Sequence, residues 1–296
     1  MNYLSPLEML YKWDNEKPNE IYLSQPINRT YHTWTWNNVH NEVMKMSSYL
    51  DSLNLKEKSK IGILSKNCAH WIMCDLAIMQ AGHISVPLYP NLNSESLSKI
   101  LEHSEAEILF IGKLDDFDSM KAGIPPNIKC ITFPFYLQNL PYDTWNEVTK
   151  GAVSKIGSKS WKNLCREVRD LRDIATIIYT SGTTGEPKGV MHKFFNFSFA
   201  TTHAVDTLKL DNETFFSYLP LSHIAERVLV QMGSLYTGGK VFFAESLDTF
   251  AEDLSKASPT VFLGVPRIWN KFQQGILSKF SQKKLDMLLK IPIISS

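Results

Sequence analysis

The sequence predicts a protein of the α/β class, with mainly parallel sheets flanked by helices. Short runs rich in β-branched and aromatic residues alternate with segments of helical period along most of the 296-residue chain, and such alternation is typical of βαβ units. No internal repeat or low-complexity tract interrupts the pattern. A chain of this length can form one large domain or two ordinary ones.

The alternation is clearest between residues 61 and 112. The run IGILS predicts a buried strand, and the apolar segment after it predicts a helix that ends at Gly82. Asn93 or Ser94 should cap the next helix, because either side chain can accept a hydrogen bond from a first-turn N–H. The expected order is strand 61–65, helix 69–82, strand 84–89, helix 92–105 and strand 106–112.

The periodicity fades between residues 134 and 170 and then resumes. We therefore predict a first α/β subdomain at 1–133, connecting loops and an exposed helix at 134–173, and a second α/β subdomain at 174–296. Basic and acidic side chains alternate in the connecting segment, which favours a solvated helix face over a site for an anionic partner. In the second subdomain the expected strands are 174–180, 214–220, 240–244 and 260–266, and the expected helices are 193–208, 224–238, 246–257 and 267–280.

The composition argues against several classes of protein. The hydrophobic fraction is 44%, the charged fraction 21% and the formal net charge +1, so nothing marks the whole chain as a binder of nucleic acid or anionic membranes. The four cysteines form no CxxC pair and are expected to be reduced thiols. No signal peptide or transmembrane segment is evident, because the most apolar long window, 71–89, contains Asp75, Gln80 and Pro87.

The stretch TIIYTSGTTGEPKGVMH, residues 176–192, predicts a loop that binds polyphosphate. An apolar strand gives way to glycines that let a ligand approach closely and to hydroxyls that can donate to phosphate oxygens, and Lys188 then adds a positive charge. We expect a helix directly after this loop, because a helix N-terminus presents backbone N–H groups to an anion.

Competing interpretations of this loop fit less well. A Walker A loop needs its lysine after the last glycine, whereas Lys188 precedes Gly189, and the dinucleotide fingerprint GxGxxG is absent. A flexible surface loop would explain the composition, but not the position between a strongly apolar strand and a helix with a lone lysine. Polyphosphate binding is the favoured interpretation.

Four segments of the chain resemble one enzyme superfamily. The string YTSGTTGEPKGV is similar to the signature of the adenylate-forming superfamily, and every position from Thr180 to Lys188 fits it. The segments 67–92, 218–227 (YLPLSHIAER) and 264–273 (GVPRIWNKFQ) resemble the long-chain fatty-acid–CoA ligases within that superfamily. The resemblance implies the fold of the large N-terminal domain of these enzymes.

The resemblance also implies a reaction in two steps. A fatty-acid carboxylate attacks the α-phosphate of ATP to give acyl-adenylate and pyrophosphate, and the acyl group then passes to coenzyme A. ATP, Mg²⁺ and coenzyme A are the implied cofactors, a fatty acid is the implied substrate, and no nucleic acid takes part. Lys188 is implied as a catalytic cation and Thr184 as a candidate ligand of Mg²⁺. The implied nucleotide-binding residues are Thr180, Ser181, Gly182, Thr183, Thr184, Gly185 and Lys188.

The segment LPLSHIAER supplies the second group of candidate site residues. By family position His223 should lie near the nucleotide and the acyl carboxylate, as a second catalytic residue. The alternative for His223 is a helix cap or a core histidine. Glu226 and Arg227 also match the long-chain pattern, and they could equally form a structural ion pair.

Several later family motifs do not occur in residues 1–296. They are an aromatic-Gly-x-Thr-Glu loop, an Asp that binds the ribose, and a Lys in a small C-terminal domain, so the domain is expected to be incomplete at its C-terminus. Two alternatives therefore stay open beside a long-chain ligase: a truncated, non-catalytic nucleotide-binding remnant, and a ligase for another carboxylic acid. We expect a cytoplasmic location, with peripheral contact with a membrane as a further option.

We predict that residues 1–296 on their own form little or no acyl-CoA, because the acidic loop and the late Lys are needed for turnover in the family. The measurement is acyl-CoA formation from ATP, Mg²⁺, oleate and coenzyme A by the purified polypeptide. Detectable turnover would contradict the prediction.

Overall fold

The structure is a computed structural model, and it describes residues 3–137, 139–151, 170–181, 186–280 and 282–289. The strands in these ranges are β1 Ile21–Ile27, β2 Thr30–Thr35, β3 Lys60–Leu64, β4 Ile84–Leu88, β5 Ala106–Ile111, β6 Lys129–Thr132, β7 Asp143–Thr144, β8 Ile174–Ser181, β9 Pro187–Lys193, β10 Thr214–Ser217 and β11 Lys240–Phe243.

The helices in the same ranges are α1 Pro6–Glu16, α2 Trp36–Ser52, α3 Ala69–Gln80, α4 Ser94–Ser104, α5 Trp145–Thr149, α6 Phe194–Leu208, α7 Ile224–Glu226, α8 Gly233–Thr237, α9 Phe250–Ala257, α10 Pro266–Lys279 and α11 Gln282–Leu289. A 3-10 turn occupies Lys121–Gly123. A π-helical segment, Arg227–Met232, joins α7 to α8.

The strands form two sheets that are mainly parallel. The larger sheet has the order β7-β6-β5-β3-β4-β8-β9, and all its neighbours are parallel except β8 and β9. The smaller sheet has the order β10-β11-β1-β2, and only β1 and β2 are antiparallel. This topology confirms the expected α/β class.

Helix α3 forms the centre of the main apolar core. Every one of its residues is buried, and its side chains share one apolar cluster with residues of both sheets, including Tyr22, Ile61 and Val241. A helix that is apolar on all sides must be enclosed by other elements. Leu221 in the turn after β10 belongs to this core, whereas Leu88 of β4 and Tyr179 of β8 belong to a second apolar cluster.

The local signals between residues 61 and 112 predicted the elements well. The side chain of Asn93 caps α4 by accepting a hydrogen bond from the backbone N–H of Ser96 at 2.8 Å. Gly82 follows the end of α3 with φ of +85°, a conformation that glycine adopts without steric cost. The strands and helices expected in this range correspond to β3, α3, β4, α4 and β5.

Other expectations differ from the structure. Residues 260–266 form no strand, and only Val261 makes an isolated bridge, to Phe215, because Gly264 and Pro266 interrupt a regular pairing pattern. The connecting segment contributes β7 and α5, in which Trp145 is fully buried. Part of that segment, 152–169, where the exposed helix was expected, lies outside the described residues.

The chain also divides at a different place from the expected one. Strands from both sides of residues 134–173 take part in each sheet. The compact units are residues 1–261 and 262–296. Non-local strand pairing, which local periodicity does not reveal, explains the difference.

None of the helices that the structure describes is long and apolar enough to span a membrane. Cys68, Cys74 and Cys130 are buried free thiols, in agreement with the expected reduced state, whereas Cys165 lies outside the described residues.

We predict that Gly82→Ala destabilises the protein by about 1–2 kcal/mol, because an L-residue is strained in this left-handed conformation. A Cβ at Gly82 would meet no atom within 4 Å, so conformational strain is the expected cause. The measurement is the free energy of unfolding in urea. Gly151→Ala is the matched control, since a Cβ there also meets nothing within 4 Å and its φ is not positive. Equal stability of the two variants would contradict the prediction.

Candidate active site

The predicted phosphate loop connects two antiparallel strands. In the β8–β9 hairpin, Thr180 lies opposite Lys188 and Ser181 lies opposite Pro187. Gly182, Thr183, Thr184 and Gly185 lie outside the described residues. The expectation of a helix directly after the loop was wrong: β9 pairs with β8, and α6 begins only at Phe194. The N-terminus of α6 therefore cannot contribute its N–H groups at the loop.

A cleft of about 790 Å³ lies beside the end of β8. Thr180 and Pro187 from the hairpin and His223 from the turn after β10 line it together. Glu95 and Lys99 of α4, which form an ion pair at 3.0 Å, also line the cleft. The cleft thus brings residues from the two predicted site motifs to one surface. Lys188 is exposed on β9 and pairs in register with Thr180.

The geometry of His223 fixes its tautomer. His223 is exposed and is the N-cap of α7, where its Nδ1 accepts a hydrogen bond from the backbone N–H of Ala225 at 3.2 Å. A neutral imidazole that accepts at Nδ1 carries its proton at Nε2. The helix cap considered from the sequence is therefore present, and the same side chain lines the cleft.

Asn67 holds the turn that precedes His223. The side-chain amide of Asn67 donates to the carbonyl of Leu219 at 2.6 Å and to Ser217 Oγ at 2.8 Å. Its Oδ1 accepts from the backbone N–H of Leu221 at 3.0 Å. Asn67 lies two residues before the first residue of α3. These hydrogen bonds therefore attach the turn to the N-terminal end of that helix.

Glu226 has a structural position in this arrangement. Its Oε1 accepts hydrogen bonds from Ser217 Oγ at 2.9 Å, the backbone N–H of Tyr218 at 3.1 Å and Asn67 Nδ2 at 3.3 Å. Its side chain is fully buried. Burial raises the pKa of Glu226 to about 8, against the hydrogen bonds, which act to lower it. The carboxyl group is therefore largely protonated at neutral pH.

Arg227 forms a buried ion pair, but not with Glu226. Its Nη2 lies 2.6 Å from Asp75 Oδ2, and both side chains are 0% exposed. The structure therefore supports the structural ion pair for Arg227, with a partner that sequence reasoning had missed. A lone carboxylate in the apolar run WIMCDLAIMQ was a signal for it, since a buried charge requires a partner.

The described residues contain no group of three or more His, Cys, Asp or Glu side chains that could hold a metal ion. Thr184, the candidate ligand of Mg²⁺, lies outside those residues.

Comparisons with known proteins find a matching family, similar sequences and similar folds. A family model described as AMP-binding enzyme matches residues 10–292. Long chain acyl-CoA synthetase 2 of Arabidopsis thaliana is 29% identical over 305 residues, which cover 95% of this chain and 45% of that protein. Long chain acyl-CoA synthetase 4 of the same plant is 31% identical over 263 residues, which cover 83% of this chain and 39% of that protein. The chain thus spans less than half the length of these relatives.

Solved structures share the fold at low sequence identity. The anthranilate CoA ligase AuaEII in complex with anthranoyl-AMP has a TM-score of 0.75 at 20% identity, with 88% of this chain and 49% of that chain covered. The A domain of carboxylic acid reductase from Segniliparus rugosus, in complex with AMP and a co-purified carboxylic acid, also has a TM-score of 0.75 at 20% identity, with 94% and 51% covered. The neighbours confirm the expected fold class.

We predict that Glu226→Gln flattens the pH dependence of stability between about pH 4.5 and pH 8. Because the folded pKa of Glu226 is raised to about 8 from an ordinary value of 4.5, its contribution to stability is fully present below pH 4.5 and is lost as the pH rises through 8. The wild-type free energy of unfolding should fall by up to about 1.4 kcal/mol per pH unit in this window from this group alone.

The measurement is urea unfolding at pH 5, 6.5 and 8. Glu57→Gln is the control, because Glu57 is exposed and its substitution should leave the wild-type profile in place. A Glu226→Gln profile that runs parallel to the wild-type profile would refute the assignment.

Proposed function

The chain belongs to the AMP-binding enzyme family, and from this premise we propose that the protein activates a long-chain fatty acid with ATP, first to acyl-adenylate and then to acyl-CoA. The observation that carries the proposal is the cleft of about 790 Å³ that Thr180 and His223 line together. The first step of the reaction requires a phosphate-binding loop and a substrate carboxylate at one place. A cleft lined by one residue from each of the two motifs would meet that requirement.

The hairpin loop would hold the β- and γ-phosphates of ATP. Thr180 and Ser181 at the end of β8, together with residues 182–185, would donate hydroxyl and backbone hydrogen bonds to the phosphate oxygens. Lys188 is exposed, opposite Thr180, and would supply the positive charge. Donors that are fixed in place before charge develops are the largest source of rate enhancement in many enzymes.

His223 would act as a hydrogen-bond donor near the reacting carboxylate and the α-phosphate. Its proton lies at Nε2 because Nδ1 is occupied by the Ala225 N–H. The hydrogen bonds of Asn67 to the preceding turn keep the ring in position without a contribution from the ligand.

Mg²⁺ would be bound mainly by the phosphates of ATP, as is usual for this ion in nucleotide-dependent enzymes. Thr184 would add a hydroxyl ligand. When bound, the ion neutralises phosphate charge.

The assignment of a long-chain fatty acid rests on the relatives named above, which are long-chain acyl-CoA synthetases. A ligase for another carboxylic acid is the second candidate, because the structural neighbours include an anthranilate CoA ligase. A panel of oleate, anthranilate and aspartate separates the two in an ATP–pyrophosphate exchange assay of a protein that also carries the later family motifs. Exchange that depends on oleate is expected, and exchange with anthranilate or aspartate alone would overturn the long-chain assignment.

We predict that Lys188→Ala lowers the affinity for ATP by roughly tenfold or more and leaves the fold unchanged, since a charge-assisted hydrogen bond contributes about 1.5–3 kcal/mol. In an intact protein that also carries the later family motifs, adenylation should slow accordingly. The measurements are titration calorimetry with ATP and pyrophosphate exchange. Lys193→Ala is the matched control, because Lys193 is exposed at the other end of the same strand. Wild-type ATP affinity and exchange in Lys188→Ala would remove Lys188 from the proposed role.

A further inference from the structure

We propose that a buried clamp, made of Asp75, Arg227, Ser85, Thr176 and Gln231, positions the His223 turn relative to the end of β8. Asp75 and Arg227 are its charged centre, and none of its members contacts substrate in this proposal; they are positioning residues. The role of the clamp in catalysis rests on the proposed function. Its effect on the order of the two site segments can be measured by hydrogen exchange, independently of that function.

The carboxylate of Asp75 accepts hydrogen bonds from three side chains on two elements. Its Oδ1 accepts from Ser85 Oγ of β4 at 2.6 Å. Its Oδ2 accepts from Arg227 Nη2 at 2.6 Å and from Gln231 Nε2 at 2.8 Å, both in the π-helical segment. A residue in the centre of α3 thus fixes the segment that follows His223 and the short helix α7.

Arg227 extends the clamp to β8. Its Nη1 donates to Thr176 Oγ1 at 2.8 Å, and that hydroxyl in turn donates to the carbonyl of Ser85 at 2.8 Å. Thr176 precedes Thr180 by four residues on β8, and Arg227 follows His223 by four residues. The two cleft residues are therefore connected through one guanidinium group by short, rigid stretches of chain.

Aromatic rings confine the guanidinium group further. Arg227 Cζ lies 5.4 Å from the ring centroid of Trp71 and 5.1 Å from that of Phe197. These distances allow cation–π attraction. The guanidinium group is thus restricted both by directional hydrogen bonds and by two neighbouring aromatic rings.

Stability alone gives a weak reason for such a cluster. All five side chains are buried, and a buried ion pair is often no more stabilising than well-packed apolar residues of the same volume. Arg227 Nε and Gln231 Oε1 find no hydrogen-bond partner in the described part of the chain, so the cluster is not optimised for stability. The π-helical geometry that starts at Arg227 is also uncommon and is frequent at functional sites.

The experiment separates positioning from stability. Asp75→Leu and Arg227→Met, each alone, should lower the melting temperature, because each leaves an unpaired buried charge. The double variant Asp75→Leu/Arg227→Met removes both charges and should recover most of that loss. Hydrogen exchange of residues 218–223 and 174–181 is then measured in the double variant, together with its affinity for ATP.

We expect exchange in both segments to be at least tenfold faster than in the wild type, and ATP affinity to fall at least tenfold, at a restored melting temperature. Wild-type exchange in both segments of the restored double variant would overturn the proposal. Thr176→Val keeps the ion pair and removes the hydrogen bonds that the Thr176 hydroxyl makes with Arg227 and with the carbonyl of Ser85, and it should show the same two changes. If the double variant stays unstable, Thr176→Val provides the deciding measurement. Unchanged hydrogen exchange in both segments of Thr176→Val would then overturn the proposal.

The matched control is Asp170→Leu/Arg172→Met, which removes an ion pair that is exposed rather than buried and should change neither exchange nor affinity. The ATP-binding and hydrogen-exchange measurements also distinguish the clamp proposal from the proposed function. A wild-type protein that fails to bind ATP would count against the proposed function, whereas the exchange measurements would still decide whether the clamp positions the two segments.

Discussion

The complete burial of α3 constrains much of the rest of the structure. Asp75 is the only acidic residue of this fully buried helix, and both sheets contribute to the cluster that encloses it. An isolated carboxylate at such a place would cost several kcal/mol, so the fold has to bring a cation to it. Arg227 meets that need. Since only α7 separates Arg227 from His223, the pairing of one buried charge also determines where part of the cleft lies.

The position of the cleft follows from the topology of the two sheets. Tyr89 and Asn91 follow the carboxyl end of β4, and Thr180 lies at the carboxyl end of the neighbouring parallel strand β8. His223 comes from the turn after β10, which belongs to the smaller sheet. In open parallel sheets, loops at the carboxyl ends of strands meet and form the binding crevice. Here two sheets supply such loops to one cleft.

The sequence predicted those parts of the fold that local signals encode. Gly82 and Asn93 mark a helix end and a helix start by their own backbone and side-chain chemistry, and the elements between 61 and 112 were correspondingly accurate. Strand β9 was missed because Pro187 and Gly189 in a short, exposed segment are typical of a loop, and only pairing with β8 makes it a strand. The Asp75–Arg227 pair joins residues 152 positions apart, and no local pattern reveals that distance. The candidate site was predictable as two motifs, while the contacts that hold them together were not.

The tautomer of His223 limits the roles that its side chain can have in the proposed reaction. With Nδ1 engaged by the Ala225 N–H, the neutral ring can donate at Nε2 but has no free lone pair with which to accept a proton. A carboxylate nucleophile needs no general base, because carboxyl groups ionise near pH 4 and are already charged at neutral pH. What the transition state does require is donors for the oxygens on which negative charge grows. A histidine that caps a helix with one nitrogen and donates with the other fits that requirement, and it would be poorly suited to a reaction that depends on proton removal.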